Sequence, residues 1–308
     1  MTETEATKTY TREYEQNAQK KHEKPELPVL NDYALHRVHR DHPNVFYGTL
    51  KTTGLEVVVK GSTPIKFRNY EAEDVGKICL CYEHATQDRL DHNHILAPLE
   101  LYYQDNNFYL ILPKVGKSNL NPDKMAIRLL PDGVKLTLLA QIANALAYCH
   151  KNDVVHLDVK GKNIRVENKK AILIDFGAAR RLGETHEIMD GLHVSTPDIV
   201  APEHFFSHII TPSADVFSLS CLAYRLMTGK EPFPYDDNLE VLIYRKPAHN
   251  KEAVEKYKAG EIIRRGMSIN RRERPDMKEF EEILKEEAAR WGLLPSEELS
   301  EPSPVLVQ

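Results

Sequence analysis

The sequence predicts an α+β protein of two lobes, a small β-rich lobe with one helix followed by a larger α-helical lobe. Between residues 44 and 113, short runs of β-branched and aromatic residues alternate with turn residues. One helical stretch, at about residues 70–90, interrupts these runs. From residue 117 onward, apolar residues recur at helical spacing, which indicates a lobe built mainly from helices.

Each predicted element follows from its own pattern. The runs NVFYGTL, LEVVVK, ILAPLELYYQ and NFYLIL predict the strands of the small lobe. In the large lobe, residues 134–151 place Leu136, Leu139 and Leu146 on one face of a helix, and residues 214–227 and 277–291 predict two further helices. The runs NIRV and AILI, joined by the turn-like ENKK, predict one strand pair among these helices.

The length of 308 residues suits one large domain or two lobes with tails. We expect a disordered polar tail at residues 1–28, a small lobe at 29–113, a large lobe at 114–292 and a second disordered tail at 293–308. Pro113 and Gly116 indicate that the lobes are joined by a hinge within residues 112–119. The tails are candidate sites for protein partners.

Composition excludes several functional classes. The net charge of −5 argues against a protein that coats nucleic acid, and we expect no nucleic-acid partner. No apolar run is long enough to span a membrane, and the polar N-terminus predicts no secretory signal. The four cysteines have no zinc-type spacing, which argues against a disulfide framework or a structural zinc site. These features together predict a cytoplasmic protein.

The strongest chemical signal is VVHLDVKGKNIRV followed by AILIDFGAAR. This segment places His156, Asp158, Lys160 and Asn163 in one loop and Asp175, Phe176 and Gly177 after the next strand. Phosphoryl transfer needs a carboxylate that accepts the proton of the attacking hydroxyl, and oxygen ligands that hold Mg²⁺. A hairpin between the two segments brings Asn163 and Asp175 to the same end, beside Asp158. The segment therefore indicates phosphoryl transfer.

Downstream, the chain reads STPDIVAPEHF, SADVFSLSCLAYRLMTGKEPF and NRRERPD. With these segments in this order, residues from about 44 to 291 resemble the eukaryotic-type protein kinase family. The resemblance implies the two-lobed protein kinase-like fold, with ATP and Mg²⁺ as cofactors. It also implies a protein substrate that accepts phosphate on a hydroxyl group.

The resemblance implies a role for each residue of the catalytic segment. Asp158 matches the aspartate of the catalytic loop, and Lys160 would contact the transferring phosphate. Asn163 and Asp175 would hold the metal ions. Structural roles are implied for His156, Phe176, Gly177, Glu203, Asp215 and Arg274. Among these, Glu203 would pair with Arg274, and Asp215 would brace the catalytic loop through its backbone.

The lysine that binds the α- and β-phosphates is expected to follow the valine run of the third strand, at Lys60. Lys66 is the alternative, because it lies at the more usual separation from a helix glutamate. Glu83 fits the family spacing for that glutamate, with Glu71 and Glu73 as alternatives.

The rest of the nucleotide site is implied by alignment with the family. Val45 would lie above the base, and Leu112 would be the gatekeeper before the hinge. Pro113 and Val115 would offer the adenine their backbone groups, and proline is tolerated at the first position because only its carbonyl is used. Arg165 stands where the family has an apolar residue under the adenine, so it either stacks on the base or turns away.

The loop before Val45 departs from the family pattern. The family has three glycines there, which let backbone N–H groups approach the phosphates, whereas this chain reads VHRDHPNV. Val38, Arg40 and Pro43 fall where the glycines would be. Arg40 or a histidine would then contact phosphate by charge, and we expect modest nucleotide affinity.

The sequence favours a serine/threonine protein kinase, because Lys160 follows Asp158 by two residues and residues 195–197 resemble the matching Gly-Thr-Pro element. A pseudokinase scaffold is the alternative, favoured by the missing glycines and by Arg165. A small-molecule kinase is a third reading, against which the Ala-Pro-Glu element and the helix of Asp215 argue.

Overall fold

The computed structural model describes residues 27–40, 42–65, 68–185, 189, 200–203, 210–233 and 254–291. Residues 1–26 of the first predicted tail and the whole of the second tail lie outside this range, and so does Lys66. Within it, the predicted α+β fold of a β-rich lobe followed by a helical lobe is confirmed.

The small lobe is built on a five-stranded antiparallel sheet in the order β1-β2-β3-β5-β4. Its strands are β1 Tyr33–Val38, β2 Val45–Leu50, β3 Glu56–Gly61, β4 Glu100–Gln104 and β5 Asn107–Pro113. One face forms a small core in which Val57, Val59 and Ile111 are fully buried. Because side chains alternate along a strand, Lys60 is directed to the opposite face from Val59.

The sequence did not predict strand β1, although the other four strands follow the predicted runs. This strand lies at the edge of the sheet and has only one buried residue, Tyr33, so it lacks the apolar alternation of an inner strand. It pairs with β2 from Tyr33 opposite Leu50 to Val38 opposite Phe46, with an irregularity between Leu35 and Arg37. The glycine-free loop therefore connects β1 to β2.

Helix α1, at Ala72–Gln87, packs against β4 and β5 and corresponds to the helical stretch predicted at 70–90. Glu73 and Asp74 lie in its first turn, where carboxylates interact favourably with the helix dipole. A Cβ atom on Gly76 would lie 2.1 Å from the carbonyl oxygen of Thr63. The helix thus lies directly against the segment after β3, which brings Glu83 close to the sheet.

The large lobe packs around two mostly buried helices, Asp132–Lys151 and Ser213–Thr228. Its helices are α2 Met125–Arg128, α3 Asp132–Lys151, α4 Ser213–Thr228, α5 Gly260–Gly266 and α6 Met277–Arg290. Phe217 of α4, Leu139 of α3 and Phe280 of α6 are fully buried in one core. The Asp276 side chain caps α6 by accepting a hydrogen bond from the Glu279 N–H at 2.8 Å.

Short strands in the large lobe position the catalytic segment. They are β6 Ser118–Asn119, β7 Val154–Val155, β8 Ile164–Glu167, β9 Lys170–Leu173 and β10 Arg180–Arg181. The predicted hairpin of NIRV and AILI is confirmed as β8 and β9, with Ile164 opposite Leu173. Asn168 and Lys169 both have positive φ, as a two-residue type I′ turn requires. The hairpin brings the segments before β8 and after β9 to the same end.

Residues 114–117 link β5 of the small lobe to β6 of the large lobe. Across the parts of the chain that the structure describes, no helix is long and apolar enough to cross a membrane.

Candidate active site

One buried carboxylate holds the catalytic loop. Asp215, in the first turn of α4, accepts hydrogen bonds from the backbone N–H groups of His156 and Leu157, each at 2.8 Å. Its Oδ2 also lies 2.8 Å from Nε2 of His150 on α3. Burial opposes ionisation of Asp215, but these hydrogen bonds and the nearby imidazoles keep its pKa below the usual value. These are the backbone contacts expected of Asp215 as a brace.

Asp158 lies at the centre of a small polar cluster. Its Oδ2 is 2.7 Å from Lys160 Nζ and 2.8 Å from the Asn163 side-chain nitrogen. The same nitrogen of Asn163 also donates to the backbone carbonyl of Asp158 at 3.0 Å. Two donors on one oxygen fix the orientation of the carboxylate. The three residues implied to act at the transferring phosphate and the metal are therefore in mutual contact.

Lys60 connects three elements of the fold. Its Nζ lies 2.7 Å from Glu83 Oε2 on α1 and 3.0 Å from Asp175 Oδ1 after β9. Glu71 and Glu73, the other candidate partners, are exposed at the start of α1.

Burial and the neighbouring charges shift the pKa of each member of this cluster. For Glu83, burial outweighs the Lys60 ammonium and raises the pKa of the carboxyl above its usual value. Burial alone would lower the pKa of Lys60, but the carboxylates of Asp175 and Glu83 outweigh it and raise that pKa well above its usual range. The Lys60 ammonium in turn holds the pKa of Asp175 well below its usual range. Both Lys60 and Asp175 are therefore charged at neutral pH.

His156, Phe176 and Gly177 pack behind these groups. The rings of His156 and Phe176 are fully buried, with their centroids 4.8 Å apart. The backbone N–H of Gly177 is directed at Asp175 Oδ1 at 3.4 Å. The segment 175–177 is thus fixed against the catalytic loop.

Two residues beside the catalytic groups have left-handed backbone conformations. Leu157 has φ of 63° and Asp175 has φ of 67°. Such conformations cost a residue with a Cβ atom about 1–2 kcal/mol relative to the right-handed region. The surrounding contacts, above all those of Asp215 and Lys60, hold both residues in place.

The predicted base-binding residues line the junction of the lobes. Val45 lies opposite Lys60 in the β2–β3 register. Leu112 and Pro113 end strand β5, opposite Val58 and Val57 of β3. Val45 thus lies on one of the two strands that flank β3, and Leu112 and Pro113 lie on the other.

Arg165, at the start of the β8–β9 hairpin, is directed at the linker. Its Nε donates to the carbonyl of Val115 at 3.1 Å, and its Nη2 donates to the carbonyl of Gly116 at 2.8 Å. The sequence left open whether Arg165 stacks on the base or turns away. In the structure, its guanidinium binds the two linker carbonyls.

A cavity of about 240 Å³ opens between α1, β3 and the catalytic segment. The side chains around it include His42, Lys60, Glu83, Asp158 and Asp175. The sequence does not mark His42 itself as a site residue. It indicates only that basic residues replace the loop glycines.

A second ion pair stabilises the large lobe. Arg274 forms two parallel hydrogen bonds with Glu203, at 2.7 and 2.8 Å. It also donates to the backbone carbonyls of Ser268 at 2.8 Å and Ser213 at 3.0 Å, and its side chain has no exposed surface. This is the buried pair implied for Glu203 and Arg274.

Comparison with known proteins identifies the family. A family model of the protein kinase domain matches residues 42–287, which is most of the chain. The chain belongs to the protein kinase family. The kinase fold suggested by the sequence is therefore its fold.

Curated relatives of this kinase include two proteins named as serine/threonine-protein kinases and one named as an Aurora kinase. It is 33% identical over 125 residues to the serine/threonine-protein kinase drp72 of Corynebacterium efficiens, a match covering 40% of this chain and 23% of that protein. It is 26% identical over 165 residues to the serine/threonine-protein kinase PrkC of Bacillus subtilis, covering 53% and 26%. It is 30% identical over 163 residues to the Aurora kinase of Patiria pectinifera, covering 52% and 39%. Each match spans less than half of the relative.

Proposed function

We propose that this kinase is an active serine/threonine protein kinase that transfers the γ-phosphoryl group of ATP to a hydroxyl group of a protein. The observation that carries the proposal is the contact of Lys60 with both Glu83 and Asp175. Because these three residues come from β3, α1 and the segment after β9, their contact assembles the site from both lobes. Asp158 lines the same cavity.

Each charged group then has a role in the transfer. Lys60 binds the α- and β-phosphates, and Lys160 binds the phosphoryl group in transit. The acceptor oxygen forms a bond to the γ-phosphorus as the bond from that phosphorus to the β-phosphate oxygen breaks. The Asp158 carboxylate takes the hydroxyl proton, and ADP leaves. Hydrogen bonds from Lys160 and Asn163 orient Asp158 for this step.

The residues present fit a magnesium ion held jointly with phosphates. Asn163 and Asp175 offer amide and carboxylate oxygens, the hard donors that Mg²⁺ prefers. Within the described residues, no three His, Cys, Asp or Glu side chains converge as a metal site. This suits an ion that takes its remaining ligands from phosphates and water. When bound, Mg²⁺ neutralises the charge of the phosphates.

The acceptor class rests on the sequence and the relatives. Lys160 stands two residues after Asp158, as in serine/threonine kinases, and its ammonium contacts the Asp158 carboxylate. Two of the relatives are named as serine/threonine-protein kinases. The second sequence feature, residues 195–197, lies outside the described residues.

A pseudokinase scaffold is the second candidate. Its support is the contact of Arg165 with the Val115 carbonyl, which leaves the linker fewer acceptors for adenine, together with the loop that lacks glycines. Such a protein would bind nucleotide or a partner without turnover.

Measurement of phosphate transfer from labelled Mg-ATP to mixed protein substrates tests the proposal. We expect activity in the full chain and a loss of about 100-fold or more in Asp158→Asn. Lys60→Met should lose activity similarly, whereas Lys278→Met, which alters an exposed lysine of α6, should not. Absence of turnover in the wild type despite nucleotide binding would instead support the scaffold.

A further inference from the structure

Backbone hydrogen bonds connect described residues of the glycine-free loop between β1 and β2. The backbone N–H of His39 donates to the carbonyl of Val45 at 2.6 Å, and the N–H of Val45 donates to the carbonyl of His42 at 3.0 Å. The loop therefore uses two of its backbone donors internally, and they are not available to a ligand.

The end of the loop is anchored to the strand that carries Lys60. The carbonyl of Asn44 accepts a hydrogen bond from the N–H of Gly61 at 2.8 Å. The side-chain nitrogen of Asn44 donates to Thr63 Oγ1 at 3.0 Å. The positions of the loop and of Lys60 are thus coupled by direct hydrogen bonds.

Among the basic residues of this loop, His42 is the one that faces the active site. It lines the cavity that also contains Lys60, Asp158 and Asp175. Arg40 does not contribute to the lining of that cavity. The structure thus distinguishes between the two kinds of basic side chain that the sequence offered in this loop.

Aromatic contacts limit the orientations of the imidazole. The ring centroid of His42 lies 5.0 Å from that of His39, and the His39 ring stacks on Tyr47 at 5.9 Å. On the same tyrosine, the guanidinium of Arg37 lies 4.4 Å from the ring centroid. The rings of Tyr47, His39 and His42 thus form a row, and His42 is the member of the row that lines the cavity.

The charge of the cavity explains why a further donor is needed. Three carboxylates, those of Glu83, Asp158 and Asp175, line it, and Lys60 already contacts two of them. Lys160 contacts the third, Asp158, so the ammonium groups of Lys60 and Lys160 already interact with carboxylates before a polyphosphate enters. An imidazole N–H on the loop side adds a donor away from these carboxylates.

We propose that the His42 imidazole binds the phosphates of the nucleotide, so that a side chain of this loop supplies a donor to them. The inference rests on the proposed function, because it concerns the same site. It assigns the loop a phosphate-binding residue.

Calorimetric titration of the full chain with Mg-ATP, Mg-ADP and adenosine tests the inference. A hydrogen bond to a charged group contributes about 1.5–3 kcal/mol, so His42→Ala should weaken binding of ATP and ADP by about 10-fold or more. Adenosine has no phosphate, and its affinity should change less than about twofold. His42→Gln, which keeps an N–H donor, should recover part of the loss.

His36→Ala is the matched control, because His36 lies on exposed strand β1 and does not line the cavity. Its affinities should equal those of the wild type. An equal loss of ATP and adenosine affinity in His42→Ala would overturn the inference by showing that His42 only supports the loop. Unchanged ATP affinity would also overturn it, while leaving the proposed function intact. A wild type that binds neither ATP nor adenosine would overturn both.

Discussion

The guanidinium of Arg165 donates hydrogen bonds to the carbonyls of Val115 and Gly116, at 3.1 and 2.8 Å. Arg165 belongs to β8 of the large lobe, whereas the two carbonyls belong to the linker between the lobes. A Cβ atom on Gly116 would lie 2.9 Å from the Arg165 Cβ, and Gly116 has φ of 64°. The large lobe therefore fixes the linker through one side chain.

Arg165→Leu should tighten adenosine binding by about 3- to 10-fold, because it frees the Val115 carbonyl and places apolar surface beneath the base. The same change should lower the free energy of unfolding by about 1–3 kcal/mol through loss of the two hydrogen bonds. Fluorescence titration and urea unfolding measure these effects, with Arg165→Lys as the variant that keeps the charge. Weaker adenosine binding in Arg165→Leu would show that the guanidinium itself contacts the base.

Arg274→Met should lower the free energy of unfolding by about 3–5 kcal/mol, because it removes the buried guanidinium that binds the Glu203 carboxylate through two hydrogen bonds. Arg264→Met is the control, since Arg264 pairs with Glu261 on the surface, where such a pair contributes about 1 kcal/mol or less. Denaturant unfolding of both variants checks the difference. Losses of equal size would contradict the structural role of the Arg274 pair.

His94 makes the stability depend on pH. It is 8% exposed, its Nδ1 lies 2.8 Å from the Ala171 carbonyl, and burial lowers its pKa to about 4. The folded chain keeps this imidazole neutral while the unfolded chain protonates near pH 6.5, so its contribution is complete above that pH and is lost as the pH falls towards 4.

Between pH 7.5 and 5, the wild type should therefore lose about 2 kcal/mol more stability than His94→Asn, which keeps a donor for the Ala171 carbonyl. Urea unfolding at the two pH values measures this difference. His36→Asn, on exposed β1, should behave as the wild type. The same pH dependence in all three proteins would contradict the assignment to His94.

Activity should not require phosphorylation between residues 175 and 203. Leu157 is 8% exposed and replaces the arginine that pairs with a phosphorylated loop in many family members. A leucine cannot form charge-assisted hydrogen bonds to phosphate. Thr185 is exposed, and Ser195 and Thr196 lie outside the described residues.

Phosphatase-treated protein should thus keep its rate in the transfer assay, as should Thr185→Ala. A loss of activity that is reversed by renewed phosphorylation of one of these sites would refute this prediction.

Peptides with basic residues just before the acceptor should not be favoured, and acidic or neutral residues should be tolerated. Lys162 is exposed in the short 3-10 helix Gly161–Asn163, and this helix begins directly after Lys160. Its ammonium should repel a substrate guanidinium by about 1 kcal/mol or less, because Lys162 is exposed to solvent. A positional peptide library measures the preference, and Lys162→Glu should create selectivity for arginine. A strong preference for arginine in the wild type would contradict the charge argument.

Sequence reasoning located the features that depend on short stretches of chain. The β8–β9 hairpin followed from two β-branched runs around a turn, and Asp158 and Asp175 lie at its end as expected. The hairpin is predictable because local chain geometry determines it. The contacts of Asp215 with the loop, 59 and 58 residues away in the chain, have no local signal and followed from the resemblance instead.

The features that were missed depend on distant backbone. Strand β1 escaped prediction because an edge strand needs no apolar alternation. The partners of Arg165 are carbonyls 50 and 49 residues away in the chain, and no local pattern records them. The direction of His42 depends on hydrogen bonds between its loop and Val45. Composition predicted a basic loop but not which side chain enters the cavity.

The left-handed conformations of Leu157 and Asp175 combine backbone strain with side-chain contacts that glycine could not make. Glycine would adopt both conformations without steric cost. However, it would remove a buried side chain at Leu157, and at Asp175 it would remove the carboxylate that contacts Lys60. Glycine at either position would therefore relieve backbone strain only by removing a stabilising contact, so we expect neither substitution to raise the free energy of unfolding. The strain beside the catalytic loop thus accompanies the contacts that hold the loop, and no single substitution removes the strain and keeps those contacts.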